Sequence, residues 1–315
     1  MADISNQIKK TIAIIKLTRP IHWVKNVSIF AAITFSGLLT DEAAFSKVFM
    51  AFIVFNLAAS STYALNDVFD ADKDKKHPIK KNRPIASGAL KKSDGLLIAI
   101  LLATTSLVWS YQLSVIFFWA VFFYLILQLL YSSFLKNLHI IDILVIAAGF
   151  VIRVYAGAFV INVHLSVWFL LTVLSVALFL ASGKRRAELG AVGASANTRK
   201  SLHKYSKELL SNYVTMFGSS AWLSWSLFTF FESPKISTPF WLILAEFSQT
   251  ITFDKMLMIT IPIAIFGIMR YQALIFEERA ETPEKLLLTD IPLITSIVIW
   301  VFTVTAIFYS GFSRA

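Results

Sequence analysis

The sequence has no cysteine and few charged residues, and both absences narrow what the protein can do. Without cysteine there is no disulfide framework, thiolate metal site or cysteine nucleophile, so a metal ion must bind oxygen ligands or the five histidines. Charged residues make up only 15% of the 315 positions, whereas 57% are hydrophobic. A chain of this length would ordinarily form two soluble domains, but this composition instead predicts a polytopic membrane protein.

Long apolar runs dominate the chain. Nine of them reach about 20 residues, which is the length that a helix needs to cross a bilayer. They cover residues 22–40, 44–66, 95–111, 114–131, 138–161, 165–182, 209–231, 255–276 and 287–311. We therefore expect an all-α fold, in which residues 1–315 form a single membrane domain of nine transmembrane helices.

Basic residues outnumber acidic ones, 29 against 19. They are concentrated beside the predicted spans, which fits anionic lipid and phosphate ligands better than nucleic acid. Most of them lie in the N-terminal segment and in the loops that follow even-numbered spans. Because positively charged segments stay in the cytoplasm, this bias predicts a multi-pass protein of the cell membrane with a cytoplasmic N-terminus and an external C-terminus.

Residues 1–19 are predicted to form an interfacial helix on the membrane surface. Isoleucines that recur from Ile4 to Ile15 fall on one face, while the lysines fall elsewhere. Pro20 is expected to end this helix. The segment lacks the apolar stretch and cleavage site of a secretory signal, so we expect it to be retained.

An acidic cluster follows the second span. If the helix continues, Asp67, Asp70 and Asp74 share one face, whereas Asp72 does not. Three like charges this close repel one another unless a cation lies among them, and hard oxygen ligands favour Mg²⁺. The alternatives are a solvated helix end and a calcium loop. The calcium loop fails because lysines stand where such a loop needs glycine and glutamate.

Basic residues follow the acids directly, from Lys75 to Arg83. Carboxylates, a metal ion and cations together are what a diphosphate requires. Two loops, residues 67–94 and 183–208, are therefore expected to open on the cytoplasmic side and to carry the site. The second begins Gly183-Lys184-Arg185-Arg186-Ala187-Glu188, where clustered cations suit a phosphate clamp. Its later cations, Arg199 and Lys200 among them, are explained as topology signals.

Ionisable residues inside the spans are costly and usually functional. Asp142 and Arg153 are spaced so that both lie on the same face of one helix. There they line a cavity or form structural polar pairs with other helices. Asp290 has the same two interpretations. Lys25, near the interfacial Trp23, is either a substrate-facing cation or a snorkelling anchor.

The acidic cluster resembles the first Asp-rich motif of the UbiA superfamily of intramembrane prenyltransferases. The likeness lies in Asn66-Asp67-x-x-Asp70-x-x-x-Asp74, followed by Arg83-Pro84-x-x-x-Gly88. Members of the superfamily have nine transmembrane helices around a central cavity capped by cytoplasmic loops, so the resemblance implies that fold here. The second motif of the superfamily is usually Asp-rich as well, but this sequence has Gly183-Lys184-Arg185-x-Ala187-Glu188 in its place.

This departure is similar to one branch of the superfamily. Further shared motifs are Arg19-Pro20-x-x-Trp23-Val24-Lys25-Asn26, Asp74-x-x-His77-Pro78, Gly149-Phe150-x-x-Arg153 and Met269-Arg270-Tyr271. The branch implies Mg²⁺-dependent transfer of 5-phosphoribosyl from phosphoribosyl diphosphate to a polyprenyl phosphate, for arabinose donors of the cell envelope. Cations in place of carboxylates agree with this reaction, because it brings together more anionic groups than prenyl transfer does.

The resemblance divides the candidate residues by ligand. Mg²⁺ and diphosphate are expected at Asn66, Asp67, Asp70 and Asp74. Phosphates are expected at Lys81, Arg83, Lys184 and Arg185, and ribose hydroxyls at Glu188 or Asp142. Lys25 and Arg153 are further substrate-binding candidates. One alternative is a prenyltransferase that moves a prenyl group from its diphosphate to an aromatic acceptor. The other is a non-catalytic lipid or phosphate transporter, which the position of the acids at one membrane face disfavours.

Overall fold

The computed structural model describes residues 2–76, 80–191, 201–233, 235–236, 253–277, 286, 289–309 and 312–313. The chain divides into two compact units. Unit 1 comprises Met1–Ala31, Ala43–Lys136 and Ile152–Asn162, and unit 2 comprises Ala32–Glu42, Asn137–Val151 and Val163–Ala315. Within the described part, almost all regular structure is helical.

The α-helices of the described residues are numbered in chain order. They are α1 (Ala2–Thr18), α2 (Phe30–Phe35), α3 (Glu42–Asp74), α4 (Lys92–Leu113), α5 (Val115–Ser133), α6 (Ile141–Ile161), α7 (Val167–Ala191), α8 (Lys207–Phe231), α9 (Ile261–Phe276) and α10 (Ile291–Tyr309). Short 3₁₀-helices lie at Pro20–Ile29, Lys80–Asn82, Leu135–Asn137, Leu202–Lys204 and Phe253–Thr260. The described strands are two residues each, β1 (Lys235–Ile236) and β2 (Phe312–Ser313), and they pair antiparallel.

The N-terminal helix α1 packs along α3 in unit 1. Its Ala13 and Leu17 are buried in an apolar cluster with Ala64 and Ala71 of α3. Ile8, Ile12 and Ile15 of the predicted interfacial stripe remain exposed. The helix ends at Thr18, as Pro20 predicted.

Helix α3 is the longest element of unit 1, with 33 residues. At 1.5 Å per residue it measures about 50 Å, whereas the apolar core of a bilayer is about 30 Å thick. The C-terminal turns of α3 can therefore project beyond the hydrocarbon. The helix continues to Asp74, as the acidic spacing predicted, so the loop expected from residue 67 begins only after Asp74.

The 3₁₀-helix Pro20–Ile29 approaches α6 very closely in unit 1. A Cβ atom added at Gly157 would lie 2.0 Å from the carbonyl oxygen of Ile29. Only glycine therefore permits this contact between two backbones. The segment was predicted as part of a single span over residues 22–40, but it is a 3₁₀-helix followed by the short α2.

In unit 2, α7 packs against α8, and both contact α9. Phe35 lies in an aromatic cluster with Phe169, Trp225, Phe228 and Phe308. Helix α7 continues to Ala191, so the first residues of the loop predicted at 183–208 are helical. The basic run from Lys184 to Arg186 therefore lies on a rigid element.

Seven segments of the described chain are long and apolar enough to cross a membrane. They are Glu42–Asp74, Lys92–Leu113, Val115–Ser133, Ile141–Ile161, Val167–Gly190, Lys255–Phe276 and Ile291–Tyr309. Two of the nine predicted spans are not among them, residues 22–40 and the serine-rich α8. The chain is a multi-pass membrane protein, and the predicted count of nine is approximate.

Candidate active site

The C-terminal end of α3 carries the acidic cluster. Asp67 and Asp74 lie about two helical turns apart, so their side chains fall on one side of the helix. They are only 2% and 5% exposed. Asp72 faces the other way, is exposed, and pairs with Lys92 at 2.7 Å. The helical spacing predicted this separation of Asp72 from the other two acids.

Two arginines neutralise the buried carboxylates. Arg19 donates a hydrogen bond from Nη2 to Asp67 Oδ1. Arg83 Nη1 lies 2.6 Å from Asp74 Oδ2 and 3.3 Å from Asp67 Oδ1, so it connects both acids. The side chains of Arg19 and Arg83 are 22% and 27% exposed. In this Asp–Arg cluster of Asp67, Asp74, Arg19 and Arg83, the acids are buried and the bases reach the surface.

A sharp turn positions Arg19. Its φ of 50° places it in the left-handed region, between the end of α1 and Pro20 at the start of the 3₁₀-helix. For a residue other than glycine this conformation costs about 1–2 kcal/mol. The guanidinium carbon lies 5.3 Å above the ring of Tyr63, so a cation–π contact supports the same orientation. The strained turn thus directs Arg19 toward Asp67.

Asp70 has a different partner. Both of its carboxylate oxygens accept hydrogen bonds from Lys136 Nζ, at 3.1 and 3.2 Å. Lys136 belongs to the 3₁₀-helix that follows α5, and its side chain is 14% exposed. Asn66 is half-buried beside Asp67. Asp70 is therefore paired with a lysine, whereas Asp67 and Asp74 share an arginine, and its role as a metal ligand stays a prediction.

The Asp–Arg cluster fits a divalent metal ion in one particular way. Asp67 Oδ2 is buried and has no hydrogen-bond partner among the residues that the structure describes, so one oxygen of a hard ligand remains to be satisfied. Among the described residues, no three acidic or histidine side chains could hold an ion by themselves. Mg²⁺ is commonly bound by one or two carboxylates together with substrate phosphates. Asp67 and Asp74 fit that arrangement, and a site built from three carboxylates does not.

Arg153 belongs to a polar network in the interior of unit 1. Its Nε donates to Asn26 Oδ1 at 2.6 Å, and its Nη2 donates to the Tyr124 hydroxyl at 2.8 Å. Asn26 donates in turn to Asn56 Oδ1 at 2.6 Å. Arg153 is 7% exposed, so the geometry supports the structural interpretation of this residue. Lys25, next to Asn26 in the chain, is half-buried.

Asp142 is the centre of a second charged network, in unit 2. Its Oδ2 lies 2.7 Å from Arg185 Nε and accepts a 3.2 Å hydrogen bond from Ser201 Oγ. Its Oδ1 accepts a 2.7 Å hydrogen bond from the Tyr205 hydroxyl. Arg185 also donates to Glu188. Asp142 and Arg185 are both 0% exposed, so this Asp142 network is an interior ion pair.

Burial changes the roles predicted for Arg185 and Asp142. A phosphate does not reach a fully buried guanidinium, and ribose does not reach a fully buried carboxylate, unless the helices separate. Breaking the pair would also leave an uncompensated charge in the interior. The predictions that Arg185 holds phosphate and that Asp142 holds ribose are therefore wrong. Lys184 and Glu188 are half-buried and keep access to solvent.

Tyr205 secures the turn before α6. Its hydroxyl accepts a 2.8 Å hydrogen bond from the Ile140 N–H while it donates to Asp142. Ile140 has a φ of 69°, which is rare for a β-branched residue. Burial, and then the hydrogen bond to Asp142, raises the pKa of Tyr205, so the hydroxyl keeps its proton. A tyrosine in a basic segment has no local pattern that would have identified it from sequence.

Asp290 also has a structural role. It accepts two hydrogen bonds from Arg270, at 2.8 and 3.1 Å, and one from the Leu293 N–H at 3.0 Å. It therefore caps α10 and ties it to α9, which supports the structural alternative. His77, Pro78, Arg199 and Lys200 lie outside the described residues.

Two residues that contact the acids were not assigned from sequence. Arg19 had a signal, because Arg19-Pro20 opens one of the shared motifs, but nothing in the sequence pointed to Asp67 as its partner. Lys136 had none, since it is a single cation in a short connection. Both contacts join residues that are far apart in the chain.

These features define a multi-pass membrane protein with buried carboxylates and surface-reaching arginines at one helix end, a combination that suits a phosphorylated ligand. The chain belongs to the UbiA prenyltransferase family, whose sequence pattern matches residues 27–185.

Individual relatives extend this result over most of the chain. The decaprenyl-phosphate phosphoribosyltransferase of Mycolicibacterium smegmatis is 35% identical over 301 residues, which are 94% of this chain and 92% of that protein. The decaprenyl-phosphate phosphoribosyltransferase of Mycobacterium tuberculosis is 37% identical over 222 residues, 69% of this chain and 74% of that protein.

A solved structure supports the fold. The structure of a UbiA homologue from Archaeoglobus fulgidus bound to GPP and Mg²⁺ matches with a TM-score of 0.69 at 15% identity. The match covers 94% of this chain and 99% of that one. At this level of identity the likeness concerns the fold, and it confirms the predicted UbiA-like architecture.

Proposed function

We propose that the protein is an enzyme that transfers 5-phosphoribosyl from phosphoribosyl diphosphate to a polyprenyl phosphate and releases diphosphate. The observation that carries this proposal is the 35% identity over 94% of the chain to a decaprenyl-phosphate phosphoribosyltransferase. The product, polyprenyl-phosphoryl-5-phosphoribose, would serve the synthesis of arabinose donors for the cell envelope.

The charges of the Asp–Arg cluster support this function. Phosphoribosyl diphosphate carries a diphosphate and a 5-phosphate, and the acceptor brings a third phosphate group. Arg19 and Arg83 present guanidinium groups toward the surface, and the exposed Lys81 lies close to Arg83 in sequence. Guanidinium groups bind phosphates through paired hydrogen bonds, so these residues are suited to the donor.

We assign a bound Mg²⁺ ion to Asp67 and Asp74, with Asn66 as a neighbouring oxygen donor. The Archaeoglobus fulgidus homologue was solved with Mg²⁺ and GPP, which supports use of a divalent ion in this fold. When bound, the ion would neutralise charge on the departing diphosphate. Asp70, paired with Lys136, is assigned a supporting role beside the cluster.

The reaction makes modest demands on acid–base groups. The bond from the ribose anomeric carbon to diphosphate breaks, the electron pair leaves with diphosphate, and an oxygen of the lipid phosphate forms the new bond. The ribose passes through an oxocarbenium-like state, as in other glycosyl transfers. An ionised phosphate needs no strong base, so the protein chiefly positions the reactants. Lys184 and Lys25 are assigned to phosphate, and Glu188 to a ribose hydroxyl.

We place this site on the cytoplasmic face of the cell membrane. The support is the distribution of basic residues, which are abundant in the N-terminal segment and after even-numbered predicted spans. The N-terminal helix α1 keeps Ile8, Ile12 and Ile15 exposed, as an interfacial helix does.

The test is a direct assay with purified protein. Labelled phosphoribosyl diphosphate, Mg²⁺ and a polyprenyl phosphate should give a labelled lipid and free diphosphate. A parallel reaction offers geranyl diphosphate and an aromatic acid acceptor. A prenylated product without a phosphoribosyl lipid would assign the protein to prenyl transfer instead. Binding of both substrates without any turnover would favour the transporter.

A further inference from the structure

The carboxylates of the Asp–Arg cluster are already neutralised by protein cations. Arg19 pairs with Asp67 Oδ1, and Arg83 lies between Asp67 Oδ1 and Asp74 Oδ2. Two buried acids are thus matched by two arginines within one cluster of unit 1. A divalent ion that binds the same oxygens must displace these guanidinium groups or bind beside them.

Competition makes binding of the metal ion alone unfavourable. Two positive charges close to a divalent ion repel it, and this repulsion is strong where burial lowers the local dielectric. Within the described part of the chain Asp67 Oδ2 offers one oxygen without a partner, but Asp67 Oδ1 and Asp74 Oδ2 are engaged. A guanidinium released from a carboxylate needs another anion, and a phosphate is its best replacement.

The exposures of the four side chains show which groups meet a ligand first. Asp67 and Asp74 are 2% and 5% exposed, whereas the side chains of Arg19 and Arg83 are 22% and 27% exposed. A diphosphate that arrives from solvent therefore meets guanidinium groups before it meets the acids. Once these groups turn to the diphosphate, the carboxylate oxygens become available to the accompanying ion.

We propose that Arg19 and Arg83 couple the two ligands by exchanging partners: they hold the carboxylates until diphosphate arrives, and then transfer their hydrogen bonds to it. The metal ion and diphosphate should consequently bind together far more tightly than either alone. Such coupling is reciprocal, so each ligand strengthens the other by the same factor. The inference rests on the proposed function only in taking a divalent ion with a diphosphate group as the ligand.

The coupling can be measured without turnover. Mn²⁺ serves as the probe and inorganic diphosphate as the second ligand. Because diphosphate also chelates Mn²⁺ in solution, equilibrium dialysis measures the ion held by the protein at a known concentration of free Mn²⁺. For the wild-type protein we expect weak binding of Mn²⁺ alone, with a dissociation constant that falls about tenfold or more when diphosphate is added. Equal affinity with and without diphosphate would overturn the proposal.

The decisive variant is Arg19→Gln, because the exchange predicts effects of opposite sign. Mn²⁺ alone should bind about tenfold more tightly, since a competing cation is gone, while diphosphate in the presence of Mn²⁺ should bind about tenfold more weakly. Arg83→Gln should behave in the same way. Arg19→Lys keeps the charge and should remain near wild type for Mn²⁺ alone. If the arginine were purely structural, its loss would instead weaken the binding of both ligands, and that result would refute the exchange.

Lys92→Gln is the matched control. It removes one positive charge from the same unit, but Lys92 pairs with the exposed Asp72. It should leave both dissociation constants within about twofold of wild type. If Mn²⁺ and diphosphate are coupled but no phosphoribosyl lipid forms, the proposed function fails and the exchange stands. If the lipid forms without coupling, the exchange fails alone.

Discussion

Tyr205 donates a 2.7 Å hydrogen bond to Asp142 Oδ1, and through Asp142 it is linked to Arg185 near the end of α7. The same hydroxyl accepts the N–H of Ile140, whose backbone is left-handed. A single buried side chain therefore fixes the strained turn before α6, the first turn of α6 and the basic end of α7. The position of Lys184 depends on this arrangement, because Lys184 precedes Arg185 in the same helix.

The first prediction concerns Tyr205→Phe. This change removes the donor to Asp142 and the acceptor for Ile140, so we expect it to lower the free energy of unfolding by about 1–3 kcal/mol. Because its pKa is raised above the ordinary value near 10, Tyr205 stays protonated, and the difference should be constant from about pH 6 to about pH 9. Denaturant unfolding in detergent measures this difference in the free energy of unfolding.

Tyr213→Phe is the control for that experiment. Tyr213 packs against the same apolar cluster as Tyr205, but its ring is only half-buried. We expect a change in unfolding free energy of less than about 0.5 kcal/mol. Equal losses for the two variants would show that ring packing, and not the hydroxyl, is what Tyr205 contributes.

The second prediction separates the acids of α3. Asp67→Asn or Asp74→Asn should reduce kcat/KM by about a hundredfold or more, because each loses a charged ligand for the metal ion. The fold should survive, since the partner arginines reach the surface. Asp72→Asn should stay within about twofold, because its pair with Lys92 is exposed. A severe loss of kcat/KM for Asp72→Asn would show that the burial of the acids does not decide their roles.

The third prediction concerns the contact between two backbones at Gly157. Gly157→Ala would place a methyl group 2.0 Å from the Ile29 carbonyl oxygen, and the backbone has no flexible end that can move aside. We expect a loss of at least about 1–3 kcal/mol of stability and a lower yield of folded protein. Gly267→Ala is the control, because its nearest neighbour, Ser296 Oγ, would lie at 3.4 Å. Similar yields of both variants by size-exclusion chromatography would contradict the proposed clash.

The sequence predicted those features that depend on local periodicity. Apolar runs identified most helices. The helical spacing also correctly separated the exposed Asp72 from Asp67, Asp70 and Asp74, which are buried or half-buried. Pro20 correctly marked the end of α1. These predictions succeeded because the period of a helix is fixed by its backbone.

Partners that are distant in sequence could not be predicted in the same way. Gly183-Lys184-Arg185-Arg186 is equally compatible with a phosphate and with a buried carboxylate, and only the fold reveals that Arg185 faces Asp142. Lys136 looked like an isolated cation until the fold placed it against Asp70. The 3₁₀-helix Pro20–Ile29 was likewise predicted as a longer span, because hydropathy does not register the close approach to Gly157.

The last prediction distinguishes two adjacent residues that look alike in sequence. Lys184 is half-buried and is assigned to a phosphate of the donor, whereas Arg185 is fully buried against Asp142. Lys184→Ala should raise the KM for phosphoribosyl diphosphate about tenfold, since it removes one charge-assisted contact, with little change in stability. The KM for the polyprenyl phosphate should move less than about twofold if the donor is the partner of Lys184.

Arg185→Met should instead lower the stability, with little change in the KM for phosphoribosyl diphosphate. It leaves Asp142 as a buried charge without its arginine, so we expect a loss of about 3–5 kcal/mol of stability. Adding Asp142→Asn to Arg185→Met should recover part of that loss, because the uncompensated charge is then removed. Unfolding curves and substrate KM values for Lys184→Ala, Arg185→Met and the double variant test whether Lys184 binds substrate while Arg185 is structural. Wild-type stability for Arg185→Met together with a raised KM for phosphoribosyl diphosphate would instead return Arg185 to the phosphate site.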